Sequence, residues 1–190
     1  MESGVSEPFS AVILAGGAAA RLDGVDKGSV ELHGRTLLAW ALDAVIDAGE
    51  VVVVGEPVPT ERPVTFTREN PRYGGPVAAL LTGRDALLAS RRWVAVLACD
   101  MPYLTAHTFQ RLRAAAEGRD GAVLVGPDGR RQLTLVLDVG RLDAVRPGLE
   151  EQHGLALHRL IGPLDLVEVP AEGREHRDVD TWTDVRDLTS

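Results

Sequence analysis

A chain of 190 residues that is 45% hydrophobic and 25% charged has the length and balance of one globular domain whose core needs no disulfide or metal staple. Its net charge of −8 and pI near 5.1 argue against a nucleic-acid backbone as the main partner. The single cysteine, Cys99, excludes an internal disulfide, the acidic opening MESGVSEPF does not read as a signal peptide, and no apolar run approaches the roughly 20 residues of a spanning helix, so neither nucleic acid nor membrane is expected and the location is expected to be cytoplasmic.

In chain order, residues 1–8 read as a flexible leader ahead of one domain, 9–190. The apolar run Phe9 to Ala15 predicts a short buried strand that breaks into Gly16-Gly17, three alanines, Arg21, Gly24, Asp26, Lys27 and Gly28. Ser29 to His33 is expected to be extended. Thr36 reads as the cap of a helix that stops at Gly49, with Leu37, Leu38, Ala41, Ala44, Val45 and Ala48 on one face. The four valines in Glu50 to Gly55 predict a buried, parallel-type strand. A proline-rich connection, Glu56 to Pro63, leads to a short strand at Val64 to Thr67, and Pro76 opens a helix that runs on through Val77 to Ser90. Trp93 to Ala98 is the next strand and Thr105 to Glu117 an amphipathic helix. Strands are expected at Gly121 to Val125 and Leu133 to Leu137 around the turn Gly126 to Gly129, and at Leu164 to Val169; helical segments are expected at 140–145, 155–161 and 181–188. Strand, helix and strand in alternation predict a doubly wound α/β fold, a mostly parallel sheet with helices on both faces.

The stretch with the most chemistry is 12–28, VILAGGAAARLDGVDKG. A strand that ends in a small-residue loop offers backbone N–H groups with no side chain in the way, a geometry suited to phosphate oxygens. Arg21 and Lys27 add fixed positive charge, one as a fork and one as a point charge. The glycines fit neither the G-x-x-x-x-G-K-[ST] nor the G-x-G-x-x-G spacing. A turn that merely closes a strand onto a helix would not need both cations. Asp100 follows a buried strand, where open α/β sheets gather ligands, and can hold Mg²⁺ between triphosphate oxygens; its other use, capping the next helix, is better filled by Thr105. Cys99 reads as a core filler. Asp178 and Asp180 form a second acidic pair, for which a cap at Asp180-Thr181 is an equal alternative. Arg130, Arg131 and Gln132 read on charge alone as a solvated hairpin edge. The histidines at 33, 107, 153, 158 and 176 lack zinc-ligand spacing.

The pattern L-A-G-G-x-x-x-R-x-x-G-x-D-K, carried by Leu14, Ala15, Gly16, Gly17, Arg21, Gly24, Asp26 and Lys27, resembles the signature of nucleotidyltransferases that move a nucleoside monophosphate from an NTP, and most closely that of the molybdenum cofactor guanylyltransferases. The resemblance implies a Rossmann-like fold and a Mg²⁺-dependent transfer of GMP from GTP to molybdopterin bearing molybdenum, with release of pyrophosphate. Arg21, Lys27 and Asp100 would be catalytic. Leu14, Ala15, Gly16, Gly17, Lys27, Glu69, Gly74, Gly75 and Asp100 would hold the nucleotide, with the Gly74-Gly75-Pro76 segment and Glu69 near base and ribose. Asp100 and Asp180 would bind the metal, and Arg131, Gln132 and Asp178 would line the acceptor pocket. A protein that delivers the pterin would be a transient partner. Two departures stand out: Asp23 lengthens the Arg-to-Gly spacing, and Gly55 stands where the family places Asn for base recognition. Cytidylyl transfer to the same pterin, transfer to a sugar or alcohol phosphate, and a nucleotide-binding regulator without turnover are the alternatives.

Overall fold

The computed structural model describes residues 7–16, 21–22, 24–70 and 72–189, the side chains of 21, 22, 188 and 189 aside. The chain begins with β1 (Phe9–Leu14), passes through two short hairpins, β2 (Arg21–Leu22) with β3 (Val25–Asp26) and β4 (Glu31–Leu32) with β5 (Arg35–Thr36), and enters α1 (Leu37–Ala44). It continues through β6 (Glu50–Val54), β7 (Thr65–Thr67), α2 (Pro76–Ala86), β8 (Trp93–Ala98), α3 (Ala106–Ala116), β9 (Gly121–Val125) and β10 (Arg131–Asp138). Helices α4 (Val139–Val145) and α5 (Leu157–Ile161), strand β11 (Leu166–Pro170) and helix α6 (Trp182–Thr189) complete it.

All six residues of β1 and the four valines of β6 are buried because the sheet is covered on both faces. Period-two alternation sorts their side chains: Ala11, Ile13, Val51 and Val53 join α1 and α3 in one cluster, while Val12, Leu14, Val52 and Val54 join α2, α4 and α5 in the other. Contact between α2 and the sheet is close enough that a Cβ on Gly83 would fall 2.4 Å from a methyl of Val12. A third, smaller cluster gathers Val30, Leu32, Leu37 and Val179, with Trp40, Tyr103 and Val185 packed on it.

The seven-stranded sheet has the order β11-β9-β10-β8-β1-β6-β7. Strand β10 runs antiparallel to both neighbours, and the remaining neighbour pairs are parallel. From β1 the chain steps outward to β6 and β7, and α2 then carries it back to β8 on the other side of β1. The strand order therefore reverses between β1 and β8, and their carboxyl ends form the crevice where such sheets bind ligands.

Several boundaries differ from the sequence expectation for identifiable reasons. Helix α1 stops at Ala44 rather than Gly49 because the Arg62 guanidinium donates to the carbonyls of Val45, Ile46 and Ala48, and the Gly49 amide bonds to Phe9. Helix α2 stops at Ala86 rather than Ser90 because the Glu50 carboxylate accepts the amides of Leu88 and Ala89. The extended reading of 29–33 resolves into a 3-10 turn, Lys27–Ser29, followed by β4.

Candidate active site at the carboxyl ends of the central strands

The loop that leaves β1 starts against the neighbouring strands. The Ala15 amide bonds to Val54 O at 2.9 Å and the Cys99 amide to Leu14 O at 3.0 Å, so the ends of β1, β6 and β8 are stitched together. Leu14 and Ala15 are buried and Gly16 is exposed, with room for little else: a Cβ there would meet Val54 O at 3.2 Å. Gly17 lies outside the described residues, as does the side chain of Arg21, whose backbone pairs with Asp26. Beyond that hairpin Asp26 caps the Lys27–Ser29 turn, its Oδ1 accepting the Gly28 amide at 3.2 Å, while Ser29 Oγ donates to Asp26 O at 2.8 Å. The turn buries Lys27, only 3% exposed, and sends its ammonium across to two carboxylates. Nζ lies 2.6 Å from Asp180 Oδ1 and 3.2 Å from Asp100 Oδ2.

Those carboxylates arrive from distant parts of the chain. Asp100 stands just past β8, and its carbonyl accepts the Val179 amide at 2.9 Å. Val179 is fully buried in the third cluster, while Asp178 and Asp180 on either side of it are exposed. Helix α6 does not use Asp180 as its cap. Thr181 caps it with Asp184 in a reciprocal capping box, the Asp184 carboxylate accepting from the amides of Asp180 and Thr181. The Asp180 side chain is thus left to face Lys27; the T-x-x-D spacing of that box is the sequence signal that assigns the cap.

Burial pulls the Lys27 ammonium down, but the hydrogen bond it donates to Asp180 and the charge of Asp100 outweigh it and hold the group above the ordinary lysine value, charged at any physiological pH. Asp100 moves up from the ordinary carboxylate value because burial disfavours its charge, with Lys27 opposing and Asp180 adding repulsion. Asp178 moves up too, through partial burial and then the Asp180 charge. Complete burial, then the charges of Asp100 and Asp26, push the Cys99 thiol far up, which removes it as a nucleophile.

The remaining expected residues take other positions. Glu69 accepts the Tyr73 amide at 2.7 Å and so closes the loop after β7; Tyr73 itself holds a left-handed conformation, φ 56°. Gly74 is buried, and Gly75 caps α2 at φ 91°, a conformation that favours glycine. Because β7 runs parallel to β6, β1 and β8, this loop starts at the same carboxyl end of the sheet as the loops that follow β1 and β8. Arg131 is held by Glu168 at 2.9 Å toward the outer strand β11, and Gln132 donates to Arg130 O. Asp178 lines a cavity of about 320 Å³ with His176, Arg177, Asp184 and Asp187. Gly55 is explained by space: a Cβ there would lie 2.9 Å from the carbonyl carbon of Ala15.

Lys27 itself shows that Asp100 and Asp180 address one cation together, and the all-oxygen donor set is that of a hard metal ion. No group of three or more His, Cys, Asp or Glu side chains suited to a metal occurs among the described residues. Two carboxylates with the rest supplied by phosphate and water is the habit of Mg²⁺, so the residues present fit it.

Residues 11–167 match the family described as MobA-like NTP transferase domain. The chain is 32% identical over 138 residues to the molybdenum cofactor guanylyltransferase of Shewanella loihica, a match covering 70% of this chain and 69% of that one. Among solved structures, the 2-C-methyl-D-erythritol 4-phosphate cytidylyltransferase of Thermus thermophilus aligns with a TM-score of 0.74 at 20% identity, over 96% of this chain and 97% of that one. The molybdopterin-guanine dinucleotide biosynthesis protein A of Archaeoglobus fulgidus aligns with a TM-score of 0.69 at 19% identity, over 95% and 96%. At such identities the structural likeness speaks for the fold.

Proposed function

The chain belongs to the MobA-like NTP transferase family and is a nucleotidyltransferase, and from that premise we propose that it transfers GMP from GTP to molybdopterin bearing molybdenum. An oxygen of the acceptor's phosphate attacks the α-phosphorus in line. The bond from the α-phosphorus to the bridging oxygen breaks, and pyrophosphate leaves with the electron pair. The acceptor phosphate is already an anion at pH 7, so no side-chain base is required of the protein, whose part is positioning and charge stabilisation.

The observation that carries the reading is the convergence of Lys27, Asp100 and Asp180 beside the carboxyl ends of β1 and β8. The Lys27 ammonium is fixed by its turn and held charged, and would turn to phosphate oxygens when Mg²⁺ takes the two carboxylates it now pairs with. On this reading Gly16 and Arg21 would also serve the phosphates. Asp100 and Asp180 would hold Mg²⁺, which when bound neutralises charge on the triphosphate. Asp178, two residues before Asp180, would serve the acceptor. On this reading residues 9–190 work as one domain in the cytoplasm, with the pterin handed over by a delivery protein.

A second reading, CMP in place of GMP, is favoured by Gly55, where the backbone of Ala15 leaves no room for a base-reading side chain. Thermal unfolding with Mg²⁺ and each of GTP, CTP, ATP and UTP separates the two. A nucleotide at about a hundred times its Kd adds roughly 2.7 kcal/mol, on the order of 5–10 °C for a chain of this length. A metal-dependent shift with GTP alone supports guanylyl transfer; one with CTP moves the base. Stabilisation by no nucleotide sinks the reading. Asp100→Asn is expected to lower turnover by orders of magnitude while keeping metal-free nucleotide binding.

A further inference from the structure

We propose that Glu175 is a positioning residue that sets the Asp180 carboxylate against Asp100. After β11 the chain must recross the ends of β9 and β10 to reach Asp100, three strand spacings or roughly 14 Å. It does so in residues 171–181, which form neither helix nor strand. The ends of this span are pinned by backbone bonds, Ala171 N to Val125 O at 2.8 Å and Val179 N to Asp100 O at 2.9 Å. Between them Glu175 is buried, 6% exposed. Its Oε1 accepts the Thr108 hydroxyl at 2.5 Å, and its Oε2 accepts Arg111 Nη2 at 2.5 Å and the Glu172 amide at 2.7 Å. Arg111 Nη1 reaches back to Pro170 O at 3.0 Å.

Thr108 joins this clamp to the other arm of the site. Its Oγ accepts the Thr105 amide at 3.0 Å in the capping box that starts α3, and Thr105 follows directly on the loop from Asp100. One carboxylate therefore ties the segment that carries Asp180 to the segment that carries Asp100. A buried ion pair is a poor source of net stability, since desolvation offsets the attraction. What the clamp supplies is one arrangement of an otherwise irregular span. Its consequence for metal binding rests on the proposed nucleotidyl transfer; the geometry does not.

The test compares full-length Glu175→Gln, Thr108→Val and Thr108→Ser with wild type, by Mn²⁺ titration followed by EPR and by hydrogen exchange of amides 172–181. Glu175→Gln leaves the half-buried Arg111 with only the exposed Glu172, 3.2 Å from its Nη1, as an anionic partner, and Thr108→Val removes the hydroxyl. Both are expected to weaken Mn²⁺ binding about tenfold or more, as loss of groups that orient metal ligands does. Both should speed exchange at 176–180 while β8 stays protected, and metal-free GTP affinity should hold. Thr108→Ser, which keeps the hydroxyl, should match wild type. Unchanged Mn²⁺ affinity and exchange in Glu175→Gln overturns the proposal. So does protection lost uniformly through β1, β6 and β8, which would make Glu175 a general stabiliser. A wild type that binds Mn²⁺ but turns over no NTP sinks the proposed function and leaves the clamp to be judged by the other measurements; a wild type that does not bind Mn²⁺ overturns both.

Discussion

At the scale of single residues the site is a balance of charges taken out of water. Asp100 binds its proton more tightly in the folded chain than in the unfolded one, because burial and Asp180 outweigh Lys27. Stability must therefore fall as pH rises from the ordinary value of 3.8 through the higher native value, where Asp100 ionises at a net cost. Asp100→Asn lacks that cost. Its melting temperature relative to wild type is expected to climb across this window and stay high at pH 7, even as turnover is lost. A difference that shrinks as pH rises would show that Lys27 holds Asp100 below its ordinary value. Lys27 adds stability through its charged form: its raised value gives a contribution that is complete below 10.5 and is lost as pH rises from there through the higher native value. Lys27 and Asp100 were readable as individual candidates from residue type and position. That the two share one ammonium-centred contact with Asp180 was not, because the partners lie 73 and 153 residues apart in sequence. Glu175 and Thr108 carried no signal either: their meaning is a buried contact between positions 67 residues apart.

At the scale of elements, the strands were legible because apolar runs bounded by Gly, Pro and charged residues leave few alternatives. Trp93–Ala98 and Gly121–Val125 match their predicted bounds, and Thr36, Thr105 and Pro76 open α1, α3 and α2 as their chemistry dictates. Helix ends were less legible, because Arg62 and Glu50, which terminate α1 and α2, act from other segments. Gly83 shows the same limit. By propensity a glycine inside a helix is a loss against alanine, yet the packing of α2 on β1 and β6 requires it. Gly83→Ala is expected to destabilise by about 1–3 kcal/mol through overpacking, against the small gain that helix propensity alone would give. Urea unfolding measures the difference, and a midpoint at or above wild type would show that Val12 and Val54 repack without strain.

At the scale of the whole molecule, one sheet serves both main clusters, so neither face can lose its packing without the other. Unfolding followed by far-UV circular dichroism should coincide with that followed by fluorescence of the tryptophans, of which Trp93 is 1% exposed. Separate transitions would mean that the two faces melt independently. No described helix is long and apolar enough to cross a membrane. The sequence by itself determined the class of fold and singled out Lys27 and Asp100 as candidates, because strand burial, glycine freedom and charge are local properties of a stretch of chain. Only the tertiary structure decided which strand lies beside which, where the winding reverses, and that Lys27 meets Asp100 and Asp180. Those contacts depend on long-range strand order and on a crossing segment held from α3, and no local pattern encodes a distance between residues so far apart.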